Sequence, residues 1–244
     1  MAEQNFDRHV TQIKQPITLK IATYNIHACI GADGQFDPAR IAAVLKEIDA
    51  DIIALQEVEH HSIDELDLLE YLAYQTGHEA IAGPTLFRET RHYGNALLTK
   101  LPLKSFKHID LSVAGFEPRG AIEATFDVAG YELQVIATHL GLKSAERRWQ
   151  VKQLLDVKSQ QEADISCLLG DVNEWLLWGR PLRWLHRHFS APPHLATFPA
   201  RWPIFALDRI WIAPQRSKIK LSVHKSVLAR QASDHLPLVA EIVF

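Results

Sequence analysis

Ser166–Trp175 reads S-C-L-L-G-D-V-N-E-W, and the reading of the whole chain turns on it. Cys167, Leu168 and Leu169 make an apolar run of strand length, and Gly170 ends it where backbone passes close to a neighbour. Asp171 and Asn173 follow two residues apart, so in extended chain their side chains leave on one face. A carboxylate beside a carboxamide at the mouth of a buried strand is a hard-oxygen arrangement. It suits a divalent cation such as Mg²⁺ and the phosphoryl oxygens such a cation neutralises. Taken alone, the pair reads more readily as an Asp/Asn turn. Other stretches that end the same way weigh against the turn.

Two of them lie near the start. Ile17–Ile26 (I-T-L-K-I-A-T-Y-N-I) predicts a strand ending at Asn25 and His27. A glycine-bearing loop, Gly31–Gln35, leads to Asp37-Pro38, which announces a helix: Asp37 as cap, Pro38 in the first turn. Ile41, Val44, Leu45 and Ile48 recur at helical spacing as one apolar stripe. Asp51–Val58 (D-I-I-A-L-Q-E-V) predicts a second buried strand that delivers Glu57 at its end. Strand, helix, strand is a crossover unit, and open α/β sheets bind ligands at the carboxyl ends of such strands.

Further along, Ser62–Thr76 predicts a helix, 83–92 a loop, and Gly94–Lys100 a strand broken by Leu101-Pro102. Ala121–Val128 and Tyr131–Leu140 read as antiparallel neighbours, the second presenting His139. Ser144–Gln161 is helical by period, with Trp149, Val151, Leu154 and Leu155 inside. Trp175–Phe189 mixes Trp175, Trp178 and Trp184 with Arg180, Arg183 and Arg187, and predicts one or two short helices, Pro181 starting the second. It reads as a surface excursion with its tryptophans packed inward, which base rates favour, or as a substrate- or lipid-facing lid. The last strands are Ala206–Ala213, opened by Asp208, then Lys218–Ser226, then Val239–Phe244 after Asp234 and His235.

Composition narrows the class. Of 244 residues, 47% are hydrophobic and 23% charged, as in an ordinary globular protein, and the net charge of −3 gives no electrostatic case for coating nucleic acid. A locally basic cleft stays open. Cys29 and Cys167 are the only cysteines, so there is no disulfide framework and a reducing compartment fits. The polar, mixed-charge N-terminus does not read as a signal peptide, and no run approaches the ~18 apolar residues of a membrane span. These features point to the cytoplasm. Residues 1–16 read as a loose leader and 17–244 as one domain, without repeats or linkers.

The polar tips are thus Asn25, Glu57, His139, Asp171 with Asn173, and Asp234 with His235; Asp208 is a sixth. A lone histidine at a strand end is usually solvated or satisfied. Glu57 after an apolar run is harder to dismiss, since a buried charge must be paired or bind a cation. Asp208 raises the same question, which a histidine partner answers.

The ordered series T-Y-N-I-H (23–27), L-Q-E-V (55–58), Y-G-N-A-L-L (93–98), A-T-H-L (137–140), G-D-V-N-E-W (170–175), L-D-R-I-W (207–211) and S-D-H-L-P (233–237) resembles the endonuclease/exonuclease/phosphatase superfamily. Its members include pancreatic-type deoxyribonucleases, abasic-site endonucleases, neutral sphingomyelinases and inositol polyphosphate 5-phosphatases. The resemblance implies a four-layer α/β sandwich: two packed mixed β-sheets flanked by helices. It implies Mg²⁺, or Mn²⁺, on Glu57, with Asn25 beside it and Asp234 completing the site. Asp171 and Asn173 would orient the attacking water and hold the phosphate, or Asp171 take a second metal. His235 would bind a phosphoryl oxygen or act as base, oriented by Asp208. His139 would be general acid or phosphate ligand, and Arg119 a further contact to the phosphate. The implied activity is a metal-dependent phosphoester hydrolase; the Trp/Arg/Leu stretch 175–189, suited to embracing a lipid head group or to peripheral membrane contact, points to a phosphodiesterase acting on a lipid head group or other small phosphoester. A DNA or RNA nuclease is the alternative, and a non-catalytic binding module of the same fold a third class.

Overall fold

Alternation along the first strand sets the layering. In β1 (Thr18–Asn25), Leu19 and Ile21 point to one face of a sheet and Ala22 and Tyr24 to the other, following the two-residue period of extended chain. All four are buried, so both faces must be covered. The computed structural model describes residues 17–243 except 60–61, 64–65, 88–91 and 215–217, and it shows how they are covered.

One sheet has six strands in the order β12 (Ile219–Val223), β13 (Leu238–Val243), β1, β2 (Ile52–Glu59), β6 (His92–Thr99) and β5 (Glu79–Phe87). The other has five, in the order β11 (Asp208–Ala213), β10 (Ile165–Asp171), β9 (Tyr131–His139), β8 (Gly120–Val128) and β7 (Leu103–Asp110). The pairs β1–β2 and β9–β10 are parallel and the remaining pairs of both sheets antiparallel, so both sheets are mixed. A short separate ladder joins β3 (Ser62–Ile63) to β4 (Leu66–Asp67).

The sheets pack face to face: Leu19, Ile21 and Ile52 of the first meet Ala124, Leu133, Val135 and Leu169 of the second. The outer face of the six-stranded sheet is covered by α1 (Pro38–Ile48) and α2 (Leu68–Thr76). The outer face of the five-stranded sheet is covered by α3 (Ser144–Ser159) and α4 (Arg180–His188). A single turn, α5 (Ala229–Ala232), precedes the last loop. Helices, sheet, sheet, helices: this is the four-layer α/β sandwich. α1 starts as its sequence requires, with Asp37 accepting from the Arg40 amide at 2.9 Å and Pro38 in the first turn.

Several expectations need correction. The helix expected over Ser62–Thr76 begins only at Leu68, because Asp67 caps it by accepting from the Leu69 amide while the chain before Asp67 is extended. The expected loop over 83–92 is largely strand. β5 runs through Gly83 and Pro84 to Phe87, since an edge strand tolerates the proline that a central one excludes; 88–91 lie outside the described residues. β7 has no counterpart in the sequence reading: it too is an edge strand, mostly exposed, with no apolar run to betray it. Trp149 lies on the exposed side of α3. The buried side holds Arg147 and Gln150 instead, which bind the carbonyls of Gly141, Leu142 and Leu111. Trp175–Phe189 contains one helix, begun at Arg180 with Pro181 in its first turn, and Trp184 packs inward as expected, but Trp175 and Trp178 are exposed. Residues 1–16, read as a leader, lie outside the described residues. Among those described, no helix is long and apolar enough to cross a membrane.

The same alternation places the polar tips. Leu133, Val135 and Ala137 face the inter-sheet core, so His139 does too; Cys167 and Leu169 carry Asp171 inward, and Ile210 and Ile212 carry Asp208. The register sets Asp171 opposite His139 on one side and Asp208 on the other. Just before it, Gly170 has φ +144°, and the Thr138 carbonyl occupies the space a Cβ would need. Gly170→Ala is therefore expected to lower unfolding free energy by about 3 kcal/mol or more, from collision plus strain. Gly115→Ala, with positive φ but open space, should cost only about 1 kcal/mol. Urea unfolding of the two variants side by side checks this.

Candidate active site at the open end of the two sheets

The ends of β1 and β2 meet the ends of β9 and β10 where the inter-sheet core gives way to polar groups. Asn25 is the junction: its Nδ2 donates to Glu57 Oε1 at 2.9 Å and to Asp171 Oδ2 at 3.2 Å, one residue from each sheet. Glu57 reaches this point through an irregularity. The β2–β6 register shifts between Leu55 and Val58, and Glu57 takes φ +58°, rare for a residue with a side chain. Asn173 is left-handed too, at φ +49°, which lets its amide N–H turn back to Asp171 Oδ1 at 2.9 Å.

Two buried histidines flank Asp171 and differ in protonation. His235 Nδ1 donates to Asp208 Oδ2 at 2.8 Å, and its Nε2 lies 3.7 Å from Asp171 Oδ2. Burial works against the charge on His235, but Asp208, Asp171 and Asp234 outweigh it and push the pKa up to about 10. His139 Nε2 lies 3.6 Å from the same Asp171 oxygen, yet its Nδ1 receives an N–H from Arg119 at 3.0 Å. Burial, the Arg119 charge and His235 hold its pKa well below the ordinary histidine value. At neutral pH the ring of His235 is therefore cationic and that of His139 neutral. Asp171 is 1% exposed, and burial, reinforced by Asp208 and opposed by His235, raises its pKa to about 6.

Loop contacts lock the arrangement. Ser233 Oγ donates to the Asn25 carbonyl at 2.7 Å and accepts the His235 amide at 3.2 Å, tying the last loop to β1. Thr197 Oγ1 donates to Asp208 Oδ2 at 2.6 Å. The structure thus brings Asn25, Glu57, Arg119, His139, Asp171, Asn173, Asp208 and His235 together. Asp234 stands at the edge, with His27 Nδ1 at 3.9 Å and Ser233 Oγ at 3.4 Å. Sequence reasoning missed Thr197, Ser233 and Tyr93. The Tyr93 hydroxyl, its pKa raised by burial and then by Glu57, donates to that carboxylate. Its place at the head of Y-G-N-A-L-L was the available signal.

Two groupings here have the chemistry of a metal site. Asp171, Asp208 and His235 place donor atoms within 4.8 Å of one another, but the His235 cation already occupies the position of a metal among those carboxylates. Glu57 and Asp171 are bridged by the neutral Asn25 amide, whose Oδ1 accepts from the His27 amide, with the neutral His139 ring 4.0 Å and 3.6 Å from the two carboxylates. With that amide turned, Glu57, Asn25 and Asp171 form an all-oxygen set that fits a hard divalent cation.

Residues 22–235 match the model of the Endonuclease/Exonuclease/phosphatase family. The uncharacterised protein YbhP of Escherichia coli (strain K12) is 28% identical over 249 residues, covering 93% of this chain and 97% of its own. An endonuclease/exonuclease/phosphatase from Bacteroides vulgatus superposes with a TM-score of 0.75 at 17% identity, over 93% of this chain and 99% of its own. Truncated TDP2 from Caenorhabditis elegans does so with a TM-score of 0.64 at 17% identity, over 92% and 96%. The superpositions establish the fold and leave the chemistry to the residues.

The Asp208–His235 pair gives a pH-dependent prediction. Folding raises the His235 pKa from 6.5 to about 10, so the pair's contribution is complete below 6.5 and is lost as pH rises through 10. Asp208→Asn should lower unfolding free energy by about 3 kcal/mol near pH 6, and the gap should close above pH 10. Urea unfolding in the presence of chelator across that range tests it; a gap independent of pH means the pair is not ionic.

Proposed function

The chain belongs to the endonuclease/exonuclease/phosphatase family, and on that premise we propose that it is a divalent-metal-dependent phosphodiesterase. The observation that carries this reading is two buried donors, on His139 and Asn173, that converge beside Asp171. Arginine offers only N–H groups, so His139 Nδ1 bears the lone pair and the ring proton sits on Nε2. That Nε2–H meets Asn173 Nδ2 at 3.0 Å, while Nδ2 also donates to the Leu140 carbonyl at 2.9 Å. With Nε2–H only 3.6 Å from Asp171 Oδ2 and one Nδ2 proton left over, both groups keep donor capacity that an anionic oxygen arriving beside them would accept.

A phosphoryl group in that position meets neutral donors from His139 and Asn173 and a cationic one from His235. This is preorganised stabilisation of the kind that dominates in hydrolytic sites. His139 serves here as a phosphate ligand rather than a general acid, because the group is neutral; His235, already protonated, is a donor rather than a base. Asp171 between them has the raised pKa that lets a carboxylate orient a water and accept its proton near neutrality. Asn173 positions Asp171 through its amide N–H, and Arg119 positions His139. Glu57 and Asn25, with Asp171 shared and Asp234 at the edge, would hold Mg²⁺ or Mn²⁺, which when bound neutralises phosphoryl charge.

The substrate class we favour is a small or lipid-borne phosphodiester. A cleft of about 430 Å³ beside Arg119 is lined by Thr85, His108, Asp110 and Ser112 as well, room for one substituent of the ester. Among the described residues its lining holds one arginine, Arg119, and no lysine, fewer cations than tracking a nucleic-acid backbone requires.

Hydrolysis of an aryl phosphodiester, intact and nicked plasmid and phospholipid vesicles, with Mg²⁺ or chelator, tests the proposal. Chelator should abolish turnover, and Glu57→Gln should shift the Mg²⁺ titration to higher concentration. His139→Ala should lower kcat by about 10²–10³ with little change in unfolding midpoint. Chelator-resistant turnover, or full activity in His139→Ala, sinks the reading; preference for plasmid makes the protein a nuclease.

A further inference from the structure

Trp175, Leu176, Leu177 and Trp178 are four consecutive apolar residues, all exposed, with Trp178 at 68%. A soluble surface does not ordinarily carry such a run without a use. They have neighbours of the same kind. Trp175 packs edge-on against Phe205 at 4.8 Å and Phe198 at 5.8 Å, the residues that bridge the 198–205 hairpin. The tip of that hairpin exposes Trp202 at 74% and Ile204 at 71%. The two segments therefore form one rim. It borders the site directly, because the Phe198 ring lies 4.8 Å from the ring of His235.

Within the segment that carries this rim the charge has one sign. From 175 to 207 the sequence contains Arg180, Arg183, Arg187 and Arg201 and no Asp or Glu, in a chain whose net charge is −3. Arg180, Arg183 and Arg187 are exposed and spaced three and four apart, so they form one stripe along α4 while Leu182 and Leu185 pack inward. The adjoining Glu174 is buried and paired with Arg147 at 3.3 Å, so it does not offset them.

We propose that Trp175–Trp178, the 198–205 hairpin and the arginine stripe of α4 dock the protein on an anionic phospholipid bilayer, bringing a head-group phosphodiester to the site. Delivery to the site rests on the hydrolase reading above; docking does not. Tryptophan and aliphatic side chains beside arginine match the apolar and anionic layers of such an interface. Leu176, Leu177 and Ile204 argue for lipid over stacked bases, since stacking uses aromatic faces alone.

Co-sedimentation with vesicles containing phosphatidylglycerol, and with vesicles of phosphatidylcholine only, tests the docking. The protein should partition onto the anionic vesicles at least about tenfold more strongly. Leu177→Asp/Trp178→Asp should weaken partitioning at least about tenfold, and Arg180→Ala and Arg183→Ala about fivefold each. All should keep the unfolding midpoint and turnover of a soluble aryl phosphodiester. Equal sedimentation of wild type and variants overturns the proposal. So does tighter binding to oligothymidylate than to vesicles, or a dimer in sedimentation velocity that Leu177→Asp/Trp178→Asp abolishes. Vesicle binding without soluble-ester turnover keeps the docking and removes the hydrolase reading; turnover without vesicle binding does the opposite.

Discussion

Asp171 ends a strand whose other inward-facing side chains, Ile165, Cys167 and Leu169, are apolar, and the burial of its carboxyl group is the constraint around which the site is assembled. A buried carboxylate without compensation protonates or destabilises the fold. Here the compensation comes from three directions: the Asn173 amide from its own loop, the Asn25 side chain from the opposite sheet, and the His235 cation from the last loop. Each partner is itself held, Asn25 by its bond to Glu57, His235 by Asp208 and Ser233. Satisfying one buried charge therefore joins the two sheets and the C-terminal loop at a single point.

The backbone bears part of that requirement. Glu57 and Asn173 both adopt left-handed φ, and Gly170 sits at a φ that suits glycine, with the Thr138 carbonyl against it. Strained residues persist where the surroundings over-determine them, and clustering beside polar side chains is the usual company of a functional site. A regular strand would send Glu57 and Asn173 elsewhere; the irregularities aim them at Asp171 and His139.

The loops that close the site have a second consequence. The segment after β10 leaves its apolar side chains outward because the space inward is taken by polar partners, Glu174 with Arg147 and Asn173 with Leu140. Aromatic packing of Trp175 on Phe198 and Phe205 then fixes that outward face beside His235. The apolar rim and the polar cluster are two sides of one loop arrangement.

Much of the fold was legible in the chain. The strands ending at Asn25, Glu57, His139 and Asp171, the capped α1 and the α/β class follow from local periodicity and capping, which tertiary context did not overturn. The edge strands β5 and β7 were not, because an exposed strand pairs by backbone alone and leaves no apolar pattern. Trp149 misled for the converse reason: the inner side of α3 buries Arg147 and Gln150, whose partners lie in distant loops. By itself the sequence determined which side chains stand at the strand ends and, by their ordered motifs, the family. Only the tertiary structure decided that His235 is charged and His139 neutral. Two histidines at similar strand-loop positions look alike in sequence; their charge depends on whether the chain folds Asp208 or Arg119 against the ring.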